Sequence, residues 1–225
     1  RQTPGVEINL DNREFQNAWN LITNTNQSVF LTGKAGTGKS TFLKYVTANT
    51  AKKHVVLAPT GIAAVNVGGQ TLHSFFKLPL KPLLPDDVEF SSRRLQKRMK
   101  YSTKFVKLLK SLELIIIDEI SMVRADIIDF IGRLLRHYCR NPREPFAGKQ
   151  LLLVGDLFQL EPVVTADMKL LLHRYYPNAY FFSASVFKQL PLVSVELTKV
   201  YRQAQEAFIS LLDRVRMGVP TAAAI

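Results

Sequence analysis

A chain of 225 residues with 47% hydrophobic and 21% charged side chains can bury a core without disulfide or metal staples, which excludes an intrinsically disordered protein. No run approaches the roughly 18 uninterrupted apolar residues of a spanning helix. Asp11 and Glu14 interrupt any basic start and apolar middle of a secretion signal, and the single cysteine, Cys139, cannot form an internal disulfide, so an intracellular protein without a membrane segment is expected. Thirty Lys and Arg against eighteen Asp and Glu leave a net charge of +12, an excess that points to a polyanionic partner.

Asp11 and Glu14 form a D-x-x-E cap ahead of Phe15, Ala18, Trp19 and Ile22, whose spacing of three and four predicts an opening helix with Trp19 in the core. Val29, Phe30 and Leu31 predict a strand, followed by a glycine-rich turn and a helix with Phe42, Leu43 and Val46 inward. Residues 77–110 hold ten basic side chains against Asp86, Asp87 and Glu89, a net +7 of the total. Pro79, Pro82 and Pro85 make residues 77–91 extended and irregular. Beyond them one amphipathic helix is expected, with Arg93, Lys97, Lys100, Lys104 and Lys107 on a basic face and Leu95, Met99, Phe105, Val106, Leu109 and Leu112 on the other. That stripe reads either as a nucleic-acid contact or as a solvated charged face. Apolar runs at residues 55–57, 114–117, 151–154 and 193–197 predict further strands, and residues 125–139 the clearest helix between them, ending on Cys139 as a small buried hydrophobe. Uninterrupted apolar strands separated by helices indicate a mostly parallel sheet covered on both faces, an α/β fold. Residues 204–217 read as a last helix, stopped by Gly218 and Pro220.

Residues 33–40, Gly-Lys-Ala-Gly-Thr-Gly-Lys-Ser, match G-x-x-x-x-G-K-[ST] between a predicted strand and a predicted helix, the context this phosphate-binding loop requires. Its glycines let backbone N–H groups turn inward around phosphate oxygens, Lys39 reaches the β and γ phosphates of ATP, and Ser40 can hold Mg²⁺. Gly33, Ala35, Gly36, Thr37, Gly38, Lys39, Ser40 and Thr41 are therefore the candidate nucleotide contacts. A second strand end supplies Asp118 as a Mg²⁺ ligand and Glu119 as general base for the attacking water. A third ends in Gly155-Asp156-Leu157-Phe158-Gln159, where Gln159 can sense the γ phosphate.

With those three strand ends in place, the sequence resembles superfamily 1 DNA helicases, most closely the petite-integration-frequency (PIF) family, kin to the RecD helicases. The likeness runs from about Phe15 to Arg202. It is carried by Phe15-Gln16-x-Ala18, the phosphate loop, Ala-Pro-Thr-Gly-Ile-Ala-Ala at 58–64 leading to Thr-Leu-His-Ser-Phe at 71–75, Asp-Glu-Ile-Ser-Met at 118–122, the segment from Leu153 to Val163, and Leu197 to Gln203. The resemblance implies a RecA-like P-loop NTPase fold with a small inserted subdomain. Residues 1–76 and 105–202 would form the first RecA-like ATPase domain, 77–104 a basic insertion, and 203–225 the first helix of a second RecA-like domain.

The function implied is an ATP-dependent 5′-to-3′ DNA helicase using ATP and Mg²⁺. A P-loop ATPase that switches on DNA or protein without translocating is the alternative. By the same resemblance Gln16 reads the adenine, Tyr201 stacks on it, Gln159 couples the γ phosphate to DNA and Arg202 contacts that phosphate. Thr60, Gly61, His73, Pro162 and Val163 line a single-strand track, with Lys97, Lys100 and Lys104 as further DNA contacts. His73 and Phe75 read alternatively as packing beneath a loop. Implied partners are single-stranded DNA and forked or G-quadruplex DNA, bound by a monomer in the cytoplasm or nucleoid of a bacterium, or the nucleus or mitochondrion of a eukaryote. Three residues depart from the family pattern: where F-x-Q-L-P-P-V is usual after Gly-Asp, Leu157 stands for the phenylalanine and Glu161 for the first proline, and Ala147 replaces the first glycine of P-F-G-G. Without a second domain's arginine finger, these residues alone are expected to bind nucleotide, hydrolyse it slowly and not unwind.

Overall fold

A computed structural model describes residues 12–199 of the chain; Asp11, Tyr201, Arg202 and the helix expected over residues 204–217 lie outside the described residues. Helix α1 (Arg13–Asn24) is capped by Asn12, whose side-chain oxygen accepts the N–H groups of Glu14 at 3.1 Å and Phe15 at 3.3 Å. This corrects the expected cap pair of Asp11 and Glu14. The short amide of Asn12, on extended backbone, reaches two of the helix's unpaired donors. Phe15, Ala18 and Ile22 are buried as expected, whereas Trp19 is half-buried, its ring edge-on to Tyr45 at 4.9 Å.

Six strands, β1 (Val29–Gly33), β2 (His54–Ala58), β3 (Gln70–Thr71), β4 (Leu114–Ile117), β5 (Gln150–Gly155) and β6 (Val193–Leu197), form one sheet in the order β3-β2-β4-β5-β1-β6. Every pairing is parallel. This is the RecA-like architecture. The central strands β4 and β5 are buried throughout, which accounts for their unbroken apolar runs. Alternate side chains feed two cores. Leu114, Ile116, Leu152 and Val154 join Phe15, Phe42, Leu43 and Val46 from α1 and α2 (Lys39–Asn49). Ile115, Ile117, Leu151 and Leu153 join a larger cluster on the opposite face. That cluster is built with α4 (Leu72–Phe76), α5 (Ser92–Met99), α6 (Thr103–Ser111) and α7 (Ala125–Tyr138). Short helices α3 (Gly61–Asn66) and α8 (Ala166–Leu172) follow β2 and β5. Among the described residues, no helix is long and apolar enough to cross a membrane.

The single basic helix expected across residues 93–110 is instead two. Lys100 adopts left-handed backbone, φ 51°, and closes α5 with its N–H on Gln96 O; Ser102 then caps α6 by accepting from Phe105 N at 3.1 Å. Two end signals outweigh one continuous amphipathic pattern. Leu95, Met99 and Leu109 still face the core, and Lys97, Lys100 and Lys104 remain exposed, distributed over two helices and their joint. Cys139, just past α7, is half-buried against the larger core.

Residues 77–91 are irregular apart from a 3₁₀ turn at Val88–Phe90, and they are pinned to α7. Asp126, its side chain fully buried, takes a bidentate ion pair from Arg124 at 2.9 and 3.1 Å and a hydrogen bond from Leu83 N at 2.8 Å. Arg133 donates to Pro85 O at 3.4 Å, and Tyr175 donates to Asp86. At the opposite, N-terminal edge of the sheet, buried Gln150 donates to Leu21 O at 3.1 Å and Gln27 O at 2.7 Å and accepts from Lys52 Nζ at 2.7 Å. Beside it Ser28 Oγ accepts from Leu151 N at 2.9 Å.

Candidate functional site

Because the strands are parallel, their C-terminal ends share one edge, where an open α/β sheet places its ligands. Strand β1 runs into the phosphate loop, β4 into Asp118 and Glu119, and β5, which lies between them, into Asp156 and Gln159. The register sets Thr32 beside Gly155 and Ile117 beside Leu153, so all three loops leave the sheet at the same edge, β4 about two residues before β5.

The phosphate loop is shaped by two glycines. Gly38, at φ 92°, begins α2 from a left-handed conformation, and a Cβ at Gly33 would lie 2.5 Å from Thr37 Oγ1 and 2.7 Å from Leu197 O. Thr37 is buried, its hydroxyl donating to Lys34 O at 2.6 Å. Ala35, Gly36 and Ser40 are exposed, with Thr41 half-buried in the first turn of α2. Lys39 Nζ donates to the loop's own carbonyls, Gly33 O and, at 3.0 Å, Lys34 O, which holds the ammonium over the loop. Gln16 lies exposed on α1, next to Phe15, whose ring is 5.5 Å from that of Phe42 on α2. Replacing Lys39 by Ala is expected to lower nucleotide turnover by about 10²–10³-fold, the scale of one lost charge-stabilising donor. The melting temperature should move by less than ~2 °C, as for a surface substitution. A large melting shift without nucleotide would reassign Lys39 to stability.

Asp118 leaves β4 with its N–H on Leu57 O at 2.9 Å. Glu119 follows in left-handed backbone, φ 49°, at the head of a 3₁₀ turn over Ile120–Met122. A glutamate rarely adopts that conformation, and such outliers concentrate at functional sites. Burial pushes the Asp118 carboxyl above its ordinary range, opposed by a backbone hydrogen bond from Glu119 and by the Lys39 charge. Burial also raises Glu119, as do Asp118 and then Asp156, with Lys39 opposing. Lys39 and these carboxylates thus form one electrostatic unit. Two half-desolvated carboxylates coupled to Lys39 suit an oxygen-seeking divalent cation completed by nucleotide phosphates, with the exposed Ser40 hydroxyl next to Lys39 in sequence as a further oxygen donor. Asp156 turns the next loop, its side chain accepting from Phe158 N at 3.0 Å and its carbonyl from Gln159 N at 3.2 Å, which leaves Gln159 exposed at the same edge.

Thr60 and Gly61 sit at the end of β2, where Thr60 Oγ1 accepts from Ala63 N at 3.2 Å and caps α3. His73, on α4 just after β3, is half-buried, and its pKa is pushed down by burial and by Arg124, with Asp126 opposing. Phe75 belongs to the core, its ring edge-on to those of Phe76 and Phe105. Pro162 and the exposed Val163 follow the Gln159 loop. All five track candidates therefore occupy the edge that carries the phosphate loop, whereas Lys97, Lys100 and Lys104 stand on α5, α6 and the joint between them. Sequence reasoning missed the Arg124–Asp126 pair beside His73, and a bridge that aligns Arg124 antiparallel to Tyr180. An acidic residue in the first turn of a helix was the one available signal for Asp126.

Comparison with known proteins identifies the family. A family model described as PIF1-like helicase matches residues 9–223. The human ATP-dependent DNA helicase PIF1 is 36% identical over 193 residues, 85% of this chain and 28% of that protein. Its Campylobacter jejuni counterpart is also 36% identical, over 85% of this chain and 41% of its own length. Among solved structures, Bacteroides Pif1 in complex with ADP-AlF3 and ssDNA is 45% identical with a TM-score of 0.79, covering 96% of this chain and 48% of the other. A structure of two coordinating Pif1 helicases at forked dsDNA is 46% identical with a TM-score of 0.78, covering 93% of this chain and 49% of the other. The chain spans less than half the length of each of these relatives. With a family match over nearly its whole length and the strand-end loops on one edge of a RecA-like sheet, the chain belongs to the PIF1-like helicase family.

Proposed function

We propose that this chain is the ATP-binding motor domain of a 5′-to-3′ DNA helicase. The observation that carries it is the convergence of Lys39, Asp118, Glu119 and the Gln159 loop at one sheet edge, with the track candidates along the same edge. Backbone N–H groups of residues 33–41 and Lys39 hold the phosphates of ATP. Ser40 and Asp118 would hold Mg²⁺, which when bound would supply neutralisation of the charge on the transferring phosphate. Glu119 takes a proton from the attacking water, Gln159 and Arg202 contact the γ phosphate, and Gln16 and Tyr201 hold the adenine. Residues 1–76 and 105–202 act as the first motor domain, 77–104 as an insertion facing the duplex, and 203–225 as the start of a second domain. The relatives bound to ssDNA and at forked dsDNA support single-stranded and forked DNA as partners. We extend the same reading to G-quadruplex DNA, to a single working copy and to an intracellular location.

Salt tests the polymer contact. Affinity for a single-stranded oligomer should fall with log K dropping about 0.7 per phosphate contact for each decade of salt. Changing Lys97, Lys100 and Lys104 together to Ala should weaken binding and flatten that slope by up to about 2. An unchanged slope would make the stripe a solvated face. No single-strand binding with or without an ATP analogue would favour the switch-type ATPase instead.

A further inference from the structure

Asp129, Gly132, Arg133 and Arg136 stand at helical spacing on one face of α7 and form one wall of a cavity of about 220 Å³. Pro85 and the segment from Ser185 to Gln189 supply the rest, and none of these residues belongs to the nucleotide edge. Both arginine head groups are placed at the cavity by their partners. Arg133 Nη1 donates to Pro85 O at 3.4 Å and Arg136 Nη2 to Gln189 Oε1 at 2.8 Å, so each guanidinium rests on a wall residue, and Arg136 Nε is held by Glu144 O at 3.2 Å. These bonds use three N–H donors and leave the majority for a further acceptor. Among the described residues neither guanidinium has a carboxylate oxygen within 4.0 Å. Asp129 shares the wall, but its carboxylate is already taken by the Tyr176 hydroxyl at 2.7 Å and by Ser185 N and Val186 N at 2.9 Å each. Burial pushes the Arg133 pKa down, with Tyr176, Asp129 and Asp87 opposing.

Gly132 makes the room. Glycine in the middle of a helix weakens it, and here no steric need explains the residue, because an added Cβ would meet Phe146 and Val186 only at ordinary contact distances of 3.7 and 3.8 Å. The cavity falls below the roughly 300–1,000 Å³ of sites for drug-sized ligands, so it suits a group of a few atoms. Two planar guanidinium forks on its walls match the several oxygens of a phosphate better than one carboxylate. Cations also lead to it from the insertion. Lys81 and Arg98 lie over the Phe90 ring at 5.0 and 5.8 Å, Phe90 packs edge-on to Phe130 at 4.9 Å, and Arg133 lies over Phe130 at 5.2 Å. We infer that this cavity is an oxyanion site in which Arg133 and Arg136 clamp one phosphate group, free or part of a nucleic-acid backbone, apart from the phosphate loop.

The test is calorimetric titration of inorganic phosphate into the whole chain carrying Lys39→Ala, which weakens the phosphate loop's own contribution. One phosphate per chain is expected, held about tenfold or more tighter than after Arg133→Gln and Arg136→Gln are added, the scale of lost charge-assisted hydrogen bonds. Arg133→Lys with Arg136→Lys keeps the stems and the charge but not the paired donors, and should recover only part of that affinity. Full recovery would reduce the clamp to diffuse attraction and overturn it. Gly132→Ala leaves both arginines in place, so it should melt no lower than the parent yet lose phosphate affinity. Salt titration of a forked duplex then identifies the source. If the double Arg→Gln change lowers the slope of log K against log salt by about 0.9, the phosphate belongs to the DNA backbone, whereas an unchanged slope assigns a free phosphate to the same site. Phosphate affinity within about twofold after the double Arg→Gln change would overturn the inference and leave the helicase reading intact.

Discussion

Glu119→Gln is expected to slow single-turnover ATP hydrolysis by about 10²–10⁴-fold, the usual contribution of a positioned general base, while nucleotide affinity stays within about twofold. The amide keeps the shape and the left-handed turn but cannot take a proton from water. Because burial, Asp118 and Asp156 hold the parent carboxyl above its ordinary value of 4.5, the acid limb of the parent's pH–rate profile should also lie above 4.5. The stability consequence has a definite sign. A carboxyl whose folded-state pKa is raised favours folding below its unfolded pKa, and that contribution is lost as pH rises through the folded value. At neutral pH the variant should therefore melt no lower than the parent, with the difference vanishing in acid. Hydrolysis within threefold of the parent would remove Glu119 from the role of base.

Asp126→Ala should be among the most destabilising single changes on the chain. It strands the nearly buried Arg124 guanidinium and leaves Leu83 N without its acceptor. Removing one member of a buried pair costs about 3–5 kcal/mol. For a domain of this size that lowers Tm by roughly 6 to 20 °C. Replacing both partners with apolar residues, Arg124→Met with Asp126→Leu, should recover much of that loss because no buried charge is left unpaired. Differential scanning fluorimetry of the two variants checks both halves. A single variant melting within ~2 °C of the parent would mean that water reaches the pair.

Much of this architecture is legible in the sequence because buried parallel strands leave unbroken apolar runs. The strands expected at residues 114–117 and 193–197 match β4 and β6 residue for residue, and three others differ only at their ends. Strand β3 and helices α3 and α4, with two, six and five residues, are too short for any periodicity to register. The break at Lys100 is hidden for another reason. A lysine in left-handed backbone carries none of the signal that glycine would, so a pattern consistent with one helix conceals two. At the site, the phosphate loop and the Asp118–Glu119 step are written in contiguous residues. The backbone of Glu119, the Arg124–Asp126 pair and its bond to Leu83 N depend on chain segments meeting in space, which local sequence does not encode.

The polar cluster around Gln150 bears on how the catalytic edge comes to be aligned. In β4 and β5 a one-residue slip would exchange one aliphatic side chain for another on both faces, so hydrophobicity does little to choose the register. Polar groups at the strand starts discriminate sharply, since a slip would leave buried Gln150 and the N–H of Leu151 without partners. Glu113 adds a further pin, its N–H on Lys53 O at 2.8 Å and its carboxylate accepting from Lys53 N at 2.8 Å. A slip of one residue would carry Asp118 about 3.3 Å along the strand, more than a hydrogen-bond length out of its place relative to Lys39. The far end of the sheet thus acts as a ruler: amides and hydroxyls with no part in the chemistry decide which carboxylate stands opposite the phosphate loop.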